Sequence, residues 1–110
     1  MNEKLCRRLV AERSSGICEV CGERNGESMH HRKNRSQGGG WHPANILHTC
    51  GDGTRLCHGW ITEHPALAHS SGHAVKSWEC PAEVPVVLHF GLVLLDDAGG
   101  LVPVSWGLMA

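Results

Sequence analysis

Four cysteines and a run of histidines carry most of the chemistry legible in this chain of 110 residues. Cys18 and Cys21 stand as C-x2-C inside ICEVCG, and Cys50 and Cys57 as C-x6-C inside TCGDGTRLCHGW. Four thiolates suit a closed tetrahedral zinc site, which is structural because no position stays open for water. The plainer alternatives are four unrelated thiols or a redox pair. The second pair, flanking a histidine-rich stretch, favours structural Zn2+, whose binding supplies on the order of 10 kcal/mol to folding in zinc-finger peptides. Between the pairs lies MHHRK, with His30 and His31 adjacent, and His58 directly follows Cys57. Neighbouring side chains diverge in a strand, so such a pair can divide a task, one imidazole holding a metal and the other moving a proton. With nine histidines in the chain, chance adjacency is the plain alternative. Cys6 and Cys80 read as bystanders.

The elements that must position these residues follow from pattern. Residues 2–14 read as a helix: Asn2 is an N-cap, Glu3 follows it, and Leu5, Cys6, Leu9 and Val10 form one apolar stripe. Arg7, Arg8 and Arg13 lie off that stripe and read as a solvated face. C-x2-C-G is the shape of a zinc knuckle. Residues 27–32 form a short strand, SQGGG a flexible turn, and WHPANILH a loop entering a second strand, since Pro43 precludes a helix interior. The loop between Cys50 and Cys57 is rich in Gly and Asp. A short helix covers 58–63, and PALAHSS forms another, begun by Pro65 and ended by Gly72. Beyond His73, residues 84–95 and 101–104 read as two strands around DDAGG. A zinc brace at both ends of the histidine segment would hold the His30–His31 strand near the His58 helix.

Composition fits one domain. The chain has no tyrosine, one phenylalanine (Phe90) and four tryptophans, Trp41, Trp60, Trp78 and Trp106, which are expected to supply most of the bulky packing. Residues 1–36 hold eight Lys or Arg against five acids, and residues 37–110 two against six. That asymmetry can orient a polyanion. The start is charged and lacks the apolar core of a signal peptide, and no apolar run reaches membrane-span length. A cytoplasmic protein is therefore expected, with no membrane partner, and six cysteines in a reducing compartment point to metal or catalysis before disulfides.

The ordered set H-H, P-A-N-I-L and C-x6-C-H, framed by C-x2-C, resembles the HNH endonucleases of the ββα-metal (His-Me finger) fold, and most of all their small zinc-bearing bacteriophage members. The resemblance spans roughly residues 5–64, less distinctively the tail. It implies an α+β ββα-metal fold with a four-cysteine structural zinc site, an N-terminal helix and a C-terminal β-hairpin. Residues 1–72 would be the nuclease core and 73–110 an extension of the same domain. It implies His31 as general base, His30 and His58 as ligands of a catalytic divalent metal, Asn45 as the signature asparagine, and Cys18, Cys21, Cys50 and Cys57 as the zinc ligands. Asn45 either orients His31 through the loop or reaches the metal through its amide oxygen. With His rather than Asp at position 30, nitrogen ligands favour Mn2+, Ni2+, Co2+ or Zn2+ over Mg2+.

The expected activity is metal-dependent hydrolysis of phosphodiester bonds in DNA, double-stranded and with weak sequence specificity. Arg32, Lys33 and Arg35 are candidate phosphate contacts, with His42 and His48 as further ones. His64 is a candidate third metal ligand, and His69, His73 and His89 are read as surface or packing residues. Kinship with phage proteins points to a setting beside terminase and portal in genome packaging, in the host cytoplasm. The competing expectation is a non-catalytic zinc module that binds DNA or protein, which would need the cysteines but not His30, His31, Asn45 and His58 together. A thiol redox protein would need a βαβ pattern around C-x2-C, and none is visible.

Overall fold

A computed structural model describes residues 1–104; Trp106 lies outside the described residues. Helix α1 (Glu3–Ser14) begins where Asn2 Oδ1 accepts the Leu5 N–H at 2.8 Å. Its buried face, Cys6 and Val10, packs with Ile46, Met29 and Trp41. Arg13 departs from the expected solvated face. Its guanidinium clasps Glu19 through two hydrogen bonds of 2.8 and 2.9 Å and donates to the carbonyls of Pro43 and Ile46. Glu19 also accepts the His48 N–H at 2.9 Å. A charge taken out of water needs such saturation with partners, and the result ties α1 to the knuckle and to the strand that carries Ile46 and His48.

Strand β1 (Ser28–His31) pairs antiparallel with β2 (Ile46–Thr49), Ser28 opposite Thr49 and His31 opposite Ile46. Short 3-10 turns at Arg35–Gln37 and Pro43–Asn45 fill the connection. Helix α2 (Leu56–Glu63) starts two residues before His58, and α3 (Pro65–Ser71) ends at Gly72 with φ +80°. A Cβ at Gly72 would collide with the Pro85 carbonyl, so glycine is required twice over.

The tail differs from expectation. Residues 84–95 are two strands, β3 (Val86–Leu88) and β4 (Gly91–Leu95), reversed at His89–Phe90, and β5 (Leu101–Pro103) completes a three-stranded antiparallel sheet. The continuous apolar run hid the turn; Gly91, at φ +144°, is the residue that makes it. Val86, Leu88, Val93 and Leu95 face inward and share one core with Ala44 and Leu47. The chain is thus an α+β domain of three helices and two small sheets. Its core is aliphatic: Trp60 is 41 % and Trp78 80 % exposed, contrary to the packing role expected of them. Among the described residues no helix is long and apolar enough to cross a membrane.

Candidate active site and structural metal centre

The four cysteines converge. The sulfurs of Cys18, Cys21, Cys50 and Cys57 all lie within 4.8 Å of one another, Cys21 and Cys50 at 3.9 Å. Zn–S bonds of ~2.3 Å in a tetrahedron put sulfurs about 3.8 Å apart, so this cluster fits a structural metal ion such as zinc. Two local devices shape it. Gly22, at φ +69°, turns the knuckle, and a Cβ there would collide with the His89 ring. The loop after Cys50 is bound by Gly51 N–H to Glu27 Oε1 at 3.1 Å and by His58 N–H to the Cys50 carbonyl at 3.2 Å.

Strand alternation puts Ser28 and His30 on the face of β1 that meets α2. The His30 and His58 rings lie edge to face with centroids 5.1 Å apart. Each ring is held from behind. His30 Nε2–H donates to the His73 carbonyl at 2.7 Å, which leaves Nδ1 with its lone pair. Ser28 Oγ lies 2.9 Å from both the Gly51 carbonyl and His58 Nδ1. Ser28 Oγ also has the Thr49 carbonyl at 3.4 Å and Thr49 Oγ1 at 3.0 Å; giving its proton to Gly51, the nearer carbonyl, makes it the acceptor of the His58 Nδ1–H. This assignment, made from the network, leaves His58 Nε2 as the free acceptor. Burial lowers the pKa of both rings, that of His30 to about 4, so both are neutral and able to bind metal at pH 7. Two neutral imidazoles with their far nitrogens anchored are ligands that could contribute to holding a divalent transition metal.

These rings border a groove of about 310 Å³ lined also by Met29, His31, Asn34, Arg35 and Thr62. A second cavity of about 230 Å³ adjoins it, with Ile61, His69 and Val75 in its wall. His31 lies at the end of β1 and packs edge to face on Trp41, centroids 4.6 Å apart. Burial, then Arg35 and Arg7, lower its pKa, with Glu3 opposing. Arg7 itself sits 4.7 Å above the Trp41 ring.

Asn45 is 2 % exposed and spends its amide on backbone: Oδ1 accepts the Lys33 N–H at 2.8 Å, and Nδ2 donates to the Lys33 and Gly40 carbonyls, both at 3.1 Å. Of its two expected roles, this geometry is that of orienting the loop after His31. Arg32 does not face solvent, as a phosphate contact must. It is 2 % exposed and donates to the carbonyls of Gly72, Ala44, Pro81 and Val84. Burial lowers it to about 10, still charged at neutral pH. Lys33 lines a different pocket, with His42 and Gly38–Gly40, so of the three basic candidates only Arg35 borders the groove.

The remaining histidines separate cleanly. His48 is buried with Nδ1 2.7 Å from Ser14 Oγ, and so does not reach phosphate. His64 Nδ1–H donates to the Trp60 carbonyl at 2.8 Å and its ring stacks on Trp60, closing α2 instead of joining His58. His73 is buried, donating to the Val87 carbonyl at 2.6 Å. Ser28, Arg7, Trp41 and the His73 carbonyl escaped sequence reasoning. Only Ser28 left a signal, two residues before His30 and therefore on the same strand face. Comparison of the chain with protein-family models, curated proteins and solved structures finds no significant match.

Proposed function

We propose that this chain is a metal-dependent endonuclease of the HNH type that hydrolyses phosphodiester bonds in DNA. The observation that carries the reading is the pair of anchored imidazoles. His30 from β1 and His58 from α2 border one groove, with His31 beside them and the four-cysteine cluster one residue from His58. The order β1, β2, α2 is that of a ββα-metal unit. In this reading His30 and His58 hold a divalent cation that, when bound, neutralises phosphate charge and steadies the leaving oxygen. His31 takes a proton from the attacking water as its oxygen bonds to phosphorus. The phosphorus–O3′ bond breaks, and solvent protonates the leaving oxygen. Asn45 fixes the loop behind His31, and Arg35 at the groove edge holds a neighbouring phosphate without reading sequence. The four cysteines hold zinc and keep His58 in place.

Incubating purified protein with plasmid DNA across divalent metals, beside His31→Ala, tests this. Wild type should nick or cut, with Mn2+ or Ni2+ at least as effective as Mg2+, and the variant should bind without cutting. If both bind DNA and neither cuts it, the zinc-module reading replaces the nuclease. The setting in the host cytoplasm beside phage terminase and portal is carried by the family resemblance alone; co-purification with those proteins tests it.

A further inference from the structure

His31 has an unusual support. A histidine that works as a base is normally oriented by a hydrogen bond from its far nitrogen to a carbonyl or carboxylate. His31 Nε2 is buried and, among the described residues, makes no hydrogen bond, while the residue borders the groove. The ring is instead held by Trp41, edge to face at 4.6 Å and 77° between planes.

Trp41 is itself fixed from both sides. The Arg7 guanidinium lies 4.7 Å over the indole and is steadied by Glu3 at 2.8 Å. The loop that delivers Trp41 is pinned by Asn45 Nδ2 on the Gly40 carbonyl and by Gly39 N–H on the Asn34 carbonyl. A Cβ on Gly39 would collide with the Lys33 carbonyl, so the loop lies tight against the segment following His31. Glu3, Arg7, Trp41 and His31 therefore form one stack from the first turn of α1 to the end of β1.

We propose that Trp41 is a positioning residue for His31: its indole holds the imidazole with Nε2 turned inward and Nδ1 turned to the groove. Nδ1 is then the nitrogen that accepts the proton of the attacking water. The neutral ring carries its own proton on Nε2, against the protein. The inference rests on the reading of His31 as general base, and its first test needs no activity.

The test compares wild type, Trp41→Phe and Trp41→Leu as zinc-loaded protein without DNA or added metal. Imidazole 15N–1H correlation spectra at alkaline pH report the tautomer of each histidine. Wild type and Trp41→Phe should show His31 as a single tautomer with its proton on Nε2, and Trp41→Leu should show the averaged signals of a mixture. In cleavage assays Trp41→Leu should lose about 100-fold in kcat with KM little changed, as misplaced catalytic groups do, and Trp41→Phe should restore most of it. A single unchanged tautomer and unchanged kcat in Trp41→Leu would overturn the proposal. If Trp41→Leu fails to fold, Arg7→Ala, which removes an exposed side chain from the stack, takes its place: a tautomer mixture supports the proposal and an unchanged one overturns it. A protein that never cuts DNA would defeat the nuclease reading while the spectra still decide the role of Trp41.

Discussion

Ser28 Oγ and His58 Nδ1 lie 2.9 Å apart, a hydrogen bond that anchors a ring on α2 to a hydroxyl on β1. Metal-binding imidazoles depend on such anchors, whose loss costs about 10- to 100-fold in affinity or activity. Ser28→Ala should weaken Mn2+ or Ni2+ binding by that factor in isothermal titration while zinc content stays at wild type. Unchanged affinity would mean that His58 does not hold the metal through Nε2.

The four-cysteine cluster should carry one zinc per chain. Elemental analysis of wild type and of Cys50→Ser should give about one zinc and none. A zinc site contributes on the order of 10 kcal/mol, comparable to the whole stability of a small domain. Chelation should therefore abolish the cooperative unfolding transition seen by circular dichroism.

Arg32 and Arg35, three residues apart, should behave oppositely. Arg32→Ala removes the guanidinium from four carbonyls, of which Pro81 alone keeps another donor, the Val84 N–H, and should cost about 3 kcal/mol or more in urea unfolding. Arg35→Ala should leave stability alone and lower the slope of log DNA affinity against log salt by about one. The converse pattern would restore Arg32 as a phosphate contact.

Acid should act through His30. Burial sets its folded pKa at about 4, against 6.5 for a free imidazole. The unfolded chain then binds the proton more readily, so the stability linked to His30 is complete above pH 6.5 and is lost as pH falls from 6.5 towards 4. The full shift corresponds to about 3 kcal/mol. Urea unfolding of zinc-saturated wild type and His30→Asn across that range should give curves that converge at low pH; parallel curves would show that His30 is not the group responsible.

Much of this was legible in the sequence because the signals are local. Asn2 as a cap, Pro65 and Gly72 as the bounds of α3, and C-x2-C as a knuckle each follow from a few neighbouring residues. The alternation that places Ser28 and His30 together is equally local. The misses involve long-range partners. Arg13 and Arg32 look like surface charge until Glu19, and the carbonyls of residues 44, 72, 81 and 84, are brought to them. Trp78, expected in the core, is exposed, and the core is filled instead by aliphatic residues of β3 and β4. The reversal at His89–Phe90 was masked by twelve largely apolar residues that read as one strand.

The Arg32 guanidinium has a consequence for how the chain comes apart. It draws on the carbonyl of Ala44 from the first part of the chain, of Gly72 at the junction, and of Pro81 and Val84 from the tail. One buried cation thus makes the stability of each part conditional on the other. A chain ending at residue 72 would strand that charge with half its acceptors, so the tail is no detachable appendage. The histidine groove and the C-terminal sheet should melt in a single transition.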